Sequence, residues 1–105
     1  MNIETVRNRF TPMSETMLYI LISLVKERHG YGIMQHVKDI TNGRIVLGAG
    51  TIYQTLMKLE NGGLIRPTEE KDRKKLYIVT DTGKQIILEE KKRITEIAKN
   101  MEGLL

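Results

Sequence analysis

The chain of 105 residues has no cysteine and no tryptophan, and only one phenylalanine. Without cysteine there is neither a disulfide framework nor a thiolate metal site, which fits a reducing compartment. The two histidines, His29 and His36, have no thiolate nearby to complete a ligand set, so neither a metal nor a cofactor is expected. With so few aromatic rings, stacking on unpaired bases is a poor basis for function. Long apolar runs are also missing. Met17 to Val25 is the most apolar segment and is far too short to span a bilayer, and no apolar signal core follows Met1. The expected location is the cytoplasm, with no membrane partner.

Catalytic constellations are missing too. Gly48-Ala-Gly50 lacks the Lys-Ser/Thr ending of a phosphate loop and has no βαβ unit around it. No serine sits in a nucleophile elbow. Glu89 and Glu90 are neighbours that diverge on a helix, and they read as solvated charges. No residue is assigned a catalytic role, and an enzyme is not expected.

The length suits one compact domain. Lysine and arginine total 17 against 13 acidic residues, a net charge of +4 that permits an anionic partner without demanding one. The distribution is more telling, because Lys71, Arg73, Lys74 and Lys75 crowd together. In residues 1–10, Ile3, Val6 and Phe10 have the spacing of a short amphipathic helix or arm. Its Arg7 and Arg9 could touch a phosphate, though an ordinary solvated flank is the favoured reading. Thr11-Pro12 resembles a helix start, since threonine caps and proline suits the first helical position. The helix that follows is expected to run to about Arg28, apolar nearly all round and therefore buried nearly all round. A second helix spans about Tyr31 to Thr41, with Ile33, Val37 and Ile40 inward, and Asn42-Gly43 stops it. His36 reads as a surface residue. His29 reads as a turn residue near bound phosphate, or as a helix-end cation. Arg44 to Leu47 is short and β-branched and predicts a small strand.

Gly48 to Ile65 is the stretch around which the rest is arranged. Ile52, Leu56 and Leu59 recur at helical spacing, while Gln54, Lys58 and Asn61 take the opposite face with Thr51 and Met57 on its flanks. Gly62 and Gly63 end the helix, glycine taking the positive φ that such an end uses. Leu64 to Arg66 and Leu76 to Val79 are extended runs around a polar, charged loop, with Pro67 suited to an edge. They predict a β-hairpin with a basic tip. Thr80-Asp81 caps a last helix that continues nearly to the C-terminus. Along it Ile87, Ile94 and Met101 are seven apart, Ile97 and Leu104 fall at the complementary positions, and Glu90 is a blemish. One small core cannot cover such a helix, so a dimer is expected through Ile87, Ile94, Ile97, Met101 and Leu104.

This order of elements is that of a helix-turn-helix whose second helix enters the major groove, followed by a wing. Thr51, Gln54 and Lys58 would meet base edges or phosphate. Tyr53 sits between core and groove; its hydroxyl reaches a phosphate or the residue is purely structural. The amides of Ala49 and Gly50 lie at a helix N-terminus, where anions are favoured. Arg73, Lys74 and Lys75 supply attraction to phosphate that is blind to sequence.

Five motifs in order carry a resemblance: His29-Gly-Tyr-Gly-Ile33, Leu47-Gly-Ala-Gly-Thr-Ile-Tyr53, Leu59-Glu-Asn-Gly-Gly-Leu-Ile65, Asp72-Arg-Lys-Lys-Leu-Tyr77 and Thr80-Asp-Thr-Gly83. Together they resemble the PadR family of transcriptional regulators, over about residues 12–104. The resemblance implies a mainly α fold with a small hairpin: a winged helix-turn-helix over residues 1–80, arm 1–10 included, and a dimerisation helix over 81–105, packed as one compact unit. It implies a homodimer that represses from a palindromic operator in double-stranded DNA. It gives the recognition-helix role to Thr51, Tyr53, Gln54 and Lys58, and the wing role to Arg73 and Lys74. The single terminal helix resembles the family's short branch. Ala49 stands where the family often has proline, and the absent tryptophan means that the stacked drug site of some short members does not carry over. A small apolar ligand is the candidate inducer. The rival reading is a winged-helix module that binds protein and no DNA.

Overall fold

The computed structural model describes residues 2–105; Met1, part of the expected arm, lies outside the described residues. The elements run α1 (Ile3–Phe10), α2 (Glu15–Ser23), α3 (Gly30–Ile40), α4 (Ala49–Asn61), β1 (Ile65–Lys71), β2 (Lys74–Val79) and α5 (Asp81–Glu102). The mainly helical class and the hairpin are as expected.

The arm is a helix. Asn2 caps it by accepting from the Thr5 amide, and Val6 and Phe10 are buried. Thr11 does not start α2. It closes α1 instead, its amide and its hydroxyl both donating to the Arg7 carbonyl, at 3.0 and 2.7 Å. The cap of α2 is Ser14, which accepts from the Met17 amide. The helix also stops at Ser23, well short of Arg28. Backbone pairing with the hairpin competes with helix there: Arg28 and Tyr77 exchange both backbone bonds, at 3.2 and 3.0 Å, and the Leu24 carbonyl accepts from Val79 at 2.8 Å. Nor is α2 buried all round. Ile20 and Leu21 are enclosed, whereas Leu18 and Ile22 are only half-buried.

Ile33 and Val37 of α3 are buried, but the inner line continues at i+4 to the half-buried Thr41, which leaves Ile40 exposed. Asn42 and Gly43 both take positive φ and stop the helix as expected, Gly43 donating to the Lys38 carbonyl. Arg44 to Leu47 is not a strand. No neighbouring strand pairs with it; the Ile45 amide goes to the Thr41 hydroxyl and Leu47 is buried as a single anchor. At the end of α4 the positive φ belongs to Gly63 (+78°), while Gly62 stays helical at −83°. Gly62 is needed for space, because any Cβ there would collide with the Phe10 ring.

The hairpin is longer than the extended runs suggested. The strands pair from Ile65 opposite Val79 to Lys71 opposite Lys74, with an irregularity between Pro67 and Glu70. Only Asp72 and Arg73 are left for the turn, both at positive φ (53° and 65°), as a twisted two-residue hairpin turn requires. The outer pairs were hidden in the sequence because both of their faces are exposed, so no apolar alternation marks them. Thr80 caps α5 as expected: its hydroxyl oxygen accepts from Gly83 and its proton goes to the Gly63 carbonyl at 2.6 Å.

Glu90 is no blemish, and the pair Glu89-Glu90 is not simply solvated. Glu90 is 2% exposed, accepts from the Met13 amide and pairs with Arg93 at 2.8 Å. Hydrogen bonds from Arg93 hold its carboxyl below the usual range against the opposing effect of burial. Glu89 receives Arg7 of α1 through two bonds of 2.9 Å, which likewise lowers its carboxyl. The carboxylates therefore fasten α1 and the link between α1 and α2 to α5.

Candidate nucleic-acid interface

One face of α4 is sunk in the core through Ile52, Thr55, Leu56 and Leu59. Helical geometry then puts Thr51, Gln54 and Lys58 on the face that leaves the protein, and all three are exposed. Tyr53 stands at the border. Its ring lies close to Gly30 at the start of α3, near enough that a Cβ at Gly30 would touch the ring and the hydroxyl at 3.6 Å, yet most of the side chain is exposed. Gly48 gives α4 no side-chain cap, so the first amides of the helix have no side-chain partner.

The hairpin tip is placed by its root. The Arg28–Tyr77 and Leu24–Val79 backbone bonds tie β2 to the link between α2 and α3. This brings Arg73, Lys74 and Lys75 round to Tyr53, and with His29, Gly30, Tyr31 and Tyr77 they line one hollow. The Lys75 ammonium lies 5.6 Å from the centre of the Tyr77 ring, a cation–π distance. His29 caps α3: Nδ1 accepts from the Gly32 amide at 3.1 Å, which leaves the proton of the neutral ring on Nε2. It is thus a cap at the start of α3 and does not stand at the end of a helix. Its ring is nearly parallel to that of Tyr31, with centroids 6.4 Å apart.

Thr51, Tyr53, Gln54 and Lys58 therefore share α4, and Arg73, Lys74 and Lys75 share the tip. Only Tyr53 joins the two groups in one hollow. Lys58 lines a different hollow, at the far end of α4, with Arg9, Phe10, Pro12, Ser14 and Met17. Of the residues in these hollows, Tyr31 is one that the sequence did not single out, whereas His29 and the arm cation Arg9 were already candidates for a place near phosphate. His29 and Tyr31 lie inside a quoted motif, but nothing local marks Arg9 as a neighbour of α4. His36 is not a surface residue. It is half-buried against α2, with Nδ1 2.8 Å from the Ser23 hydroxyl, and burial and then Arg28 lower its basicity. Among the described residues no cluster of potential ligands could hold a metal, and no helix is long and apolar enough to cross a membrane.

A helix-turn-helix carrying its second helix outward, with a basic two-stranded wing beside it, is the winged-helix class. Within that class the chain belongs to the PadR-like family of transcriptional regulators, whose family model matches residues 9–89. It is 31% identical over 98 residues to the transcriptional regulator YqjI of Escherichia coli, covering 92% of this chain and 47% of that protein. The chain thus spans about half the length of this curated relative. Among solved structures, a PadR family regulator from Eggerthella lenta superposes with a TM-score of 0.73 at 21% identity, covering 96% of this chain and 85% of that one. Bacillus subtilis PadR in complex with operator DNA superposes with a TM-score of 0.62 at 34% identity, covering 74% of this chain and 47% of that one.

Proposed function

We propose that this regulator is a homodimeric repressor that reads double-stranded DNA at a palindromic operator. The observation that carries the reading is the exposed polar face of α4, Thr51, Gln54 and Lys58, set beside a wing tip of three cations. The operator-bound relative supports it. In this reading Gln54 and Thr51 meet base edges in the major groove, Tyr53 places a hydroxyl on the backbone, and Arg73, Lys74 and Lys75 attract phosphate. Residues 1–80 act as the DNA-binding part and 81–105 as the dimerising helix, in one compact unit.

The dimer rests on the outer part of α5. Ile94, Ile97 and Met101 border an open groove of about 610 Å³ whose other wall is Leu18, Tyr19 and Ile22 of α2. A second copy's α5 fits such a self-complementary surface: each copy offers a ridge and the groove that receives it. Ile87 and Leu104 extend the same seam. A small apolar ligand entering the groove would compete with that packing and release the operator.

The test is a mobility-shift titration of the chain on DNA upstream of its own gene and on a shuffled duplex. Preferred binding that weakens steeply with salt is expected. Gln54→Ala should relax sequence preference by about 1–3 kcal/mol, whereas Lys74→Ala should weaken both duplexes alike. Equal, salt-insensitive behaviour toward both duplexes would remove the reading and favour a module that binds protein.

A further inference from the structure

Four of the chain's seven arginines are committed to its own fold. Arg7 pairs with Glu89 and Glu4, Arg44 with Glu15, and Arg93 with Glu90, while Arg28 donates to the Ser23 carbonyl. Arg73 is at the wing tip and Arg66 is on β1. The seventh, Arg9, has no carboxylate partner among the described residues.

Its position is nonetheless defined. The guanidinium lies 5.2 Å from the centre of the Phe10 ring, and that ring is seated directly against Gly62 at the end of α4. Arg9 therefore lines one hollow with Lys58, and no acidic side chain lines it. Two cations converging on a concave surface repel each other unless an anion lies between them. Lys58 belongs to the same face as Thr51 and Gln54, about 10 Å along the helix from Thr51 by the rise per residue. The wing hollow takes in Tyr53 near the start of α4 and the Arg9–Lys58 hollow lies towards its end, so the two flank the exposed polar face from opposite ends.

We propose that Arg9, together with Lys58, holds a backbone phosphate of duplex DNA at the end of this face opposite the wing. The N-terminal helix α1 is then part of the DNA-binding surface, and Lys58 acts on phosphate and not on a base edge. This rests on the DNA reading given above. A phosphate contact fixes register without reading sequence, so its loss has a distinct signature.

The experiment is fluorescence-anisotropy titration of the full chain on its upstream duplex and on a shuffled duplex, across a series of potassium chloride concentrations. Arg9→Gln is expected to lose about 3–10-fold in affinity on both duplexes alike, and to make the salt slope shallower by about one unit. Arg9→Lys keeps the slope of the parent. If Arg9→Gln melts early, Lys58→Gln at its exposed position carries the same expectation. An unchanged slope in a folded variant, or a loss confined to one duplex, overturns the proposal while the DNA reading stands. Failure of the parent chain to bind either duplex removes both.

Discussion

The two halves of α5 carry one apolar repeat into different surroundings. From Asp81 to Glu90 the helix is sunk into the domain: Gly83 and Ile86 are buried, Ile87 is half-buried, and Glu90 grips Met13 and Arg93. From Lys91 onward, Ile94, Ile97 and Met101 continue the spacing but stay exposed, and Leu104, also exposed, lies just past the helix end at Glu102. A periodic stripe identifies the apolar face of a helix and says nothing about what covers it. Within this chain the two coverings are distinguishable, because only the inner half carries contacts that forbid a larger or uncharged residue.

The sharpest way to break the inner half is Gly83→Ala. A Cβ there would collide with the Leu64 carbonyl and the Val79 side chain, and a backbone oxygen cannot rotate away. The change should cost about 3 kcal/mol, at the upper end of overpacking penalties, measured by urea unfolding. A loss below about 1 kcal/mol would mean that α5 can lift off β1 and that its inner half is not locked.

The next effect belongs to the outer half. Ile97 is 43% exposed in the single chain, so Ile97→Glu should leave the unfolding free energy of the dilute protein unchanged. In a twofold seam the substitution counts twice, and burial of an isoleucine is worth about 1.5–3 kcal/mol, so dimer dissociation should rise more than about 100-fold. Sedimentation equilibrium reads this directly. If the variant dimerises like the parent, the seam lies elsewhere.

Glu90→Gln comes third. It keeps the shape but removes the charge from the bonds with Arg93 and the Met13 amide, and about 1–2 kcal/mol should be lost at neutral pH. The sign with pH follows from the depressed carboxyl. The parent gains this stability above the unfolded carboxylate pKa, about 4.3, and loses it as pH falls through the lower folded value. Thermal melts of parent and variant should therefore converge as pH drops below about 4. A gap that stays constant down to about pH 3 would show that the charge of Glu90 contributes nothing.

The inner half also marks where reading the sequence stopped working. Features set by local chemistry were legible: the Asn42-Gly43 stop, the Thr80 cap, the apolar line of α4 and the crowd of cations at the hairpin tip. Features set by a distant partner were not. Glu90 looked like a fault in a repeat because its donors, Met13 and Arg93, come partly from another element. The end of α2 was misplaced because the competing hydrogen bonds come from Tyr77 and Val79. Arg44 to Leu47 had strand composition but no strand to pair with. The same division runs through the candidate site. The polar face of α4 and the wing cations were visible as composition, whereas the hollows that bring His29 to the wing and Arg9 to Lys58 exist only after folding.

The smallest expected effect tests whether exposure alone marks the outer seam. Leu88 is 65% exposed, more than Ile94 or Ile97, and an exposure criterion would place it in the interface ahead of both. Its position argues otherwise: one residue beyond Ile87, it is turned about 100° away from the line through Ile94 and Met101. Leu88→Gln should therefore change neither unfolding nor dimer dissociation by more than about 0.5 kcal/mol. Equal sensitivity of Leu88 and Ile97 in sedimentation would mean that the dimer closes on a broad apolar surface and not along a seam. The heptad spacing of the outer half would then be the consequence of helix solubility, and the twofold packing argued from the α2–α5 groove would have to be abandoned.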